Sequence, residues 1–144
     1  MPASLLFVYG TLQAAFDIPQ ARQLRSGAKL LGRASFAGRL YDLGDYPGAV
    51  LSADPKERVW GELWLPTGNS DELLGQLDLY EESSTDFPEP REYERRLIEV
   101  TDAEGRLCRA WTWLYNRPIS DLPLVPGGDY LRFRSPDKNP PFSC

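Results

Sequence analysis

The sequence predicts an α+β domain: a small, closed or nearly closed mixed β-sheet with helices inserted between its strands. Three observations lead there. Apolar runs of strand type recur along the chain and outnumber helical patterns. Thirteen prolines and twelve glycines punctuate them, together with seventeen aromatic side chains, a composition suited to strands and turns. Two helix-like segments fall between strands rather than after them, and the early connections are mostly not tight hairpins, which argues against a plain meander. At 144 residues the chain is read as a single domain, 1–144. That length buries about 68–70% of the unfolded surface.

The first strand is Ser4-Leu5-Leu6-Phe7-Val8, which runs into the turn Tyr9-Gly10-Thr11-Leu12. Asp17-Ile18-Pro19 reads as a helix start, with Gln20 to Ser26 helical and Gly27 the stop. Lys29 to Leu43 is a long strand-compatible run whose glycines, Gly32 and Gly38, predict bulges or barrel corners. Gly44 to Gly48 is a turn cluster, and Ala49-Val50-Leu51 a short strand. Arg58 to Leu65 alternates as a half-buried strand does and ends at Pro66. Asn69 or Ser70 caps a helix to about Tyr80, with Leu73, Leu74, Leu77 and Tyr80 as its buried face. Glu82 to Arg91 is an irregular loop. Tyr93 to Val100 and Leu107 to Tyr115 form a β-hairpin around the Asp102-to-Gly105 turn. The proline-rich tail from Asn116 is expected to lie across the surface.

Composition removes whole classes of function. Net charge is −5, with the negative charge gathered in residues 51–100, so a nucleic-acid partner is set aside. No apolar run reaches the roughly 18 residues of a membrane span. The first basic residue is Arg22 and the opening apolar run is short, so no secretory signal is expected. Cys108 and Cys144 do not read as a disulfide framework, and the expected compartment is the reducing cytoplasm. The chain has no histidine. Ser-His-Asp and Cys-His catalysis are therefore out of reach, a zinc site is not expected, and no phosphate-binding glycine loop of either common type occurs.

Acid–base work falls to carboxylates, tyrosines, lysines or the cysteines, and three constellations offer it. Tyr9-Gly10-Thr11-Leu12 is either an ordinary strand-ending turn or a cradle of main-chain N–H groups for a carboxylate. Leu77-Asp78-Leu79-Tyr80-Glu81-Glu82 ends a helix. There Glu81 falls beside Leu74 and Leu77 on the buried side, where desolvation, neighbouring acids and the helix dipole all raise a carboxyl pKa. It reads either as a solvated helix-end acid or as a general base. Tyr41, Tyr93, Trp111, Trp113 and Tyr115 alternate along strands as core or barrel lining, and any hydroxyl facing a cavity could orient a polar substrate.

These pieces together resemble the gamma-glutamylcyclotransferase superfamily, nearest to its gamma-glutamylamine cyclotransferase and butirosin-pathway branch. The resemblance runs nearly end to end. It rests on Val8-Tyr9-Gly10-Thr11-Leu12, Gly38-Arg39-Leu40-Tyr41-Asp42 and Tyr46-Pro47-Gly48, then Val59-Trp60-Gly61-Glu62-Leu63, Leu77-Asp78-Leu79-Tyr80-Glu81, Tyr93-Glu94-Arg95 and Gly128-Asp129-Tyr130. It implies a small β-barrel flanked by helices and a small γ-glutamyl substrate. Tyr9, Gly10, Thr11 and Leu12 would bind the glutamyl part, Glu81 would be the acid–base residue, and Tyr93 and Tyr115 would line the cavity. The implied reaction releases 5-oxoproline and a free amine, with no metal or cofactor. A non-catalytic module that binds a carboxylate or γ-glutamyl compound on the same barrel is the alternative. The chain departs from its relatives at Gln13-Ala14-Ala15-Phe16, at Glu82-Ser83 and in the loop that leads to Tyr93, all expected near the pocket mouth.

Overall fold

A five-stranded barrel closes through one short seam in the computed structural model, which describes residues 5–10, 24–43, 47–67 and 93–130. The described strands are β1 (Leu5–Val8), β2 (Ala28–Asp42), β3 (Pro47–Leu51), β4 (Arg58–Pro66), β5 (Tyr93–Asp102) and β6 (Leu107–Tyr115). Around the barrel the order is β2, β4, β1, β6, β5 and back to β2, with β3 paired on the outer half of β2. Among the described strands only β1 and β6 pair in parallel; the other strand pairings are antiparallel. The expected small mixed barrel is the observed fold.

β1 reads as an unbroken apolar run because both of its faces are covered. Phe7 and Tyr9 enter the barrel interior with Phe36, Leu40, Val59, Val100 and Leu114. Leu6 and Val8 face outward, where Leu24, Ala28, Trp64, Tyr93 and Trp113 enclose them. Residues 24–27 are helical and bring Leu24 to that outer cluster. The helix includes Gly27, the expected stop, and the chain passes directly into β2 at Ala28. The parallel β1–β6 ladder is brief, and the buried Thr112 hydroxyl adds to it by donating to the Phe7 carbonyl at 2.9 Å.

The two glycines expected to bend β2 do so in different ways. At Gly32, φ is 144°, and the register against β4 slips between Leu30 and Gly32. At Gly38 the strand changes partner: Ala37 still faces Arg58 of β4, whereas Gly38 faces Leu51 of β3. The β2–β5 seam holds two residue pairs, Ala34 with Asp102 and Ser35 with Thr101. Arg58 stitches it, donating from Nε to Ser35 Oγ (3.0 Å) and from Nη2 to the Ser35 carbonyl (3.0 Å) and Thr101 Oγ1 (3.2 Å).

The segment after β6 lies along the surface as expected over residues 116–124, but it turns inward at Val125, where the sequence reading is corrected. Pro123 accepts from the Asp42 N–H, and the Val125 N–H donates to the Leu40 carbonyl. After a short 3₁₀ turn, Pro126–Gly128, Asp129 bridges to Trp60 of β4. Val125 and Tyr130 are buried in the interior cluster. This segment fills the edge of β2 that β4 leaves at Gly38, so its prolines serve an edge that needs few N–H donors. Arg33 secures it by an ion pair with the buried Asp129, while the Arg33 guanidinium lies 5.0 Å from the Trp60 ring centre.

β3 begins at Pro47, two residues before the expected start, because a strand's first position does not require an N–H. β6 matches its expected bounds, and β5 runs on to Asp102. The four-residue connection has Gly105 at φ 81°, a left-handed conformation that favours glycine. The expected helix from residue 70 to 80 and the loop from 82 to 91 lie outside the described residues.

Candidate active site

Three tyrosines and one glycine pair organise one end of the barrel. Tyr9 follows β1 and is buried. Its hydroxyl donates to the Trp113 carbonyl at 2.6 Å and accepts from the Ala49 N–H at 3.2 Å, tying β6 to β3. Tyr93, the first residue of β5, donates from its hydroxyl to the Pro47 carbonyl at 2.6 Å. Tyr115, its cross-strand partner, meets the Tyr93 ring edge-on, with centroids 5.7 Å apart and planes at 72°.

The start of β3 is the object these side chains share. A Cβ on Gly48 would lie 2.9 Å from both Cβ and Cγ of Tyr115, so the ring rests against bare backbone. A Cβ on Gly10 would lie 3.0 Å from Pro47 Cγ, so the Tyr9-Gly10 turn abuts the same segment. Tyr9 and Gly10 are thereby brought together with Tyr93 and Tyr115 around Pro47, Gly48 and Ala49. Thr11, Leu12 and Glu81 lie outside the described residues. Reading the sequence missed the partners of the hydroxyls, since a carbonyl acceptor leaves no trace in residue type. The only available signal was the Tyr46-Pro47-Gly48 segment.

Chemically this end offers rigidity. These bonds of the Tyr9 and Tyr93 hydroxyls go to buried main-chain atoms, and each such bond is worth about 0.5–1.5 kcal/mol net. Cys108 stands at the other end of β6, partly buried against the interior cluster. Burial pushes its thiol pKa up, and the Asp102 charge adds to the rise, so it is a poor source of thiolate. Among the described residues no group of three or more Asp, Glu or Cys side chains is placed to hold a metal ion. Among them, too, no helix is long and apolar enough to cross a membrane.

Residues 6–132 match the family described as gamma-glutamyl cyclotransferase, AIG2-like. The chain belongs to that family. Its relatives include the gamma-glutamylcyclotransferase family protein YtfP of Escherichia coli K12, 32% identical over 127 residues, which span 88% of this chain and 95% of YtfP. The barrel also superposes on an AIG2-like protein of Mus musculus with a TM-score of 0.66 at 22% identity, covering 90% of this chain and 89% of that one. YkqA of Bacillus subtilis gives a TM-score of 0.67 at 20% identity over 96% of this chain, which spans 44% of YkqA. In this gamma-glutamyl cyclotransferase-like protein, the Tyr9-Gly10 turn lies where β1 meets the start of β3.

Proposed function

We propose that this protein catalyses intramolecular aminolysis of a small γ-glutamyl compound, releasing 5-oxoproline and a free amine in the cytoplasm. Membership of the family over residues 6–132 is the observation that carries this reading. The substrate's α-amine nitrogen attacks its own γ-carbonyl carbon, a five-membered lactam closes, and the bond to the γ-linked amine breaks. The balance needs no co-reactant. At neutral pH the α-amine is mostly protonated, so a base must first unload it. Glu81 takes that proton and returns one to the departing amine, a role worth about 10²–10⁴-fold.

The glutamyl part is held by Tyr9, Gly10, Thr11 and Leu12, whose main-chain N–H groups suit its carboxylate and keep the chain folded for attack. Tyr9 acts in this scheme as a positioning residue, because its hydroxyl bonds fasten the turn to Trp113 and Ala49. Tyr93 and Tyr115 line the cavity and hold Pro47 and Gly48 in place.

The experiment is to measure 5-oxoproline release from a panel of γ-glutamyl amines and γ-glutamyl amino acids, comparing wild type with Glu81→Gln. Turnover in the wild type that drops at least about 100-fold in the variant supports the scheme, and the preferred panel member names the leaving group. Equal rates in both proteins remove Glu81 as the base. No turnover across the panel moves the weight to a binding module.

A further inference from the structure

One recess of the barrel is lined by none of the tyrosine-cluster residues. A groove of about 460 Å³ runs between the bend of β2 at Gly38, the start of β4 and the 3₁₀ turn. That volume falls within the roughly 300–1,000 Å³ usual for small-molecule sites. Its described lining includes Arg39, Lys56, Arg58, Trp60 and Leu124, and none of Tyr9, Gly10, Tyr93 or Tyr115.

The charges around it do not cancel. Glu57, the one carboxylate in the described lining, is taken up by Arg39 Nε at 2.7 Å and by the Ser52 hydroxyl at 2.5 Å. The Lys56 ammonium makes no ion pair among the described residues, while its main-chain N–H donates to Asp54 Oδ1 at 2.9 Å. Arg58 is surrounded there by neutral acceptors alone: the Ser35 hydroxyl and carbonyl, the Thr101 hydroxyl and, from Nη1 at a long 3.4 Å, the Pro55 carbonyl. Two positive charges therefore stand uncompensated in a recess of a protein whose net charge is −5. A cleft lined by one sign of charge concentrates counter-ions of the other. Beside these cations the wall is apolar, with the Trp60 indole and the Leu124 side chain, the latter residue 52% exposed.

We propose that this groove binds a small organic anion, with an apolar or aromatic body against Trp60 and Leu124 and its phosphate or carboxylate head on Lys56 and Arg58. None of the described residues assigned to the cyclotransferase site lines this groove, and the proposal does not depend on that reading.

The test is titration of the full ¹⁵N-labelled chain, at fixed ionic strength, with phenyl phosphate, phenylacetate and the neutral 2-phenylacetamide. Saturable shifts are expected at the amides of Lys56, Gly127 and Gly128 and at the Trp60 indole N–H. At least one of the anions should bind about tenfold or more tightly than the amide, and whichever is preferred identifies the head group. Lys56→Glu should weaken that binding about tenfold, the usual scale of one lost charge-assisted contact. Lys56→Gln, which removes the charge without reversing it, should weaken it by a smaller factor. The proposal is overturned if no anion gives saturable shifts, if the amide binds as well as the anions, if the shifts fall instead at Tyr9 and Gly10, or if folded Lys56 variants bind like wild type.

Discussion

Tyr93 opens β5, yet its hydroxyl is committed 46 residues back in the chain, to the carbonyl of Pro47 at 2.6 Å. That carbonyl belongs to the strand on which Tyr115 and the Tyr9-Gly10 turn also rest. Tyr93→Phe keeps the ring, and with it the edge-on contact to Tyr115, but leaves a buried carbonyl without this donor. Such a loss costs about 1–3 kcal/mol. Urea unfolding should show a lower midpoint at unchanged slope. Loss of 5-oxoproline release beyond what the destabilisation explains would indicate that the start of β3 positions the substrate.

Gly48 tests the same wall from the opposite side. An alanine methyl would meet Tyr115 Cβ and Cγ at 2.9 Å, atoms fixed near the backbone and unable to swing away. Overpacking of this kind costs about 1–3 kcal/mol. Gly48→Ala should therefore lower the unfolding midpoint and move the Tyr115 ring resonances. Gly105→Ala is a useful contrast: nothing lies within 4 Å of its Cβ, so any penalty there comes from φ alone.

How much of this is legible in the sequence follows from the range of each interaction. The long run of β2 was readable with its two corners, because a glycine breaks local pattern wherever it stands. The bounds of β6 were readable because the strand-type run from Leu107 to Tyr115 stands between two turn signals. The segment holding Val125 and Tyr130 was misplaced because its prolines suggest surface, whereas its burial depends on bonds to Leu40 and Asp42 more than 80 residues away. Tyr9, Gly10, Tyr93 and Tyr115 were named through the family resemblance. That Pro47, Gly48 and Ala49 unite them was not readable, since the hydroxyls are received by main-chain atoms. The roles of Arg58 and Asp129 were hidden as well: a charged residue in an alternating strand, or in a proline-rich tail, looks solvent-facing until its partner is known.

Arg58 carries the closing seam of the barrel. Two residue pairs join β2 to β5, and one guanidinium reaches Ser35 on one strand and Thr101 on the other. Arg58→Ala should cost about 2 kcal/mol, the scale of hydrogen bonds made by a charged group. Arg58→Lys should recover little of it, because an ammonium cannot reproduce the fork that serves three acceptors at once. Hydrogen exchange supplies the local readout, with the amides of residues 34–35 and 101–102 losing protection before the β5–β6 hairpin does. Full recovery in Arg58→Lys would mean that charge, not the fork, holds the seam.

Glu57 gives the fold a pH dependence whose sign can be worked out. The hydrogen bond from Arg39, aided by the one from Ser52, holds its carboxyl below the ordinary value of 4.5. A carboxyl lowered in the folded state binds fewer protons there than in the unfolded chain, so it stabilises the fold above the unfolded value. That contribution is fully present at neutral pH, begins to fade near pH 4.5 and is lost as pH falls through the depressed folded value. The pair is solvent-facing, so the effect is small and screened by salt. Glu57→Gln should thus be slightly less stable than wild type at pH 7, and the gap should close on acidification and narrow in 1 M salt. Unfolding midpoints of the two proteins, measured in parallel between pH 7 and pH 3, provide the check. A gap that widens in acid would mean that Glu57 acts through something other than its pair with Arg39.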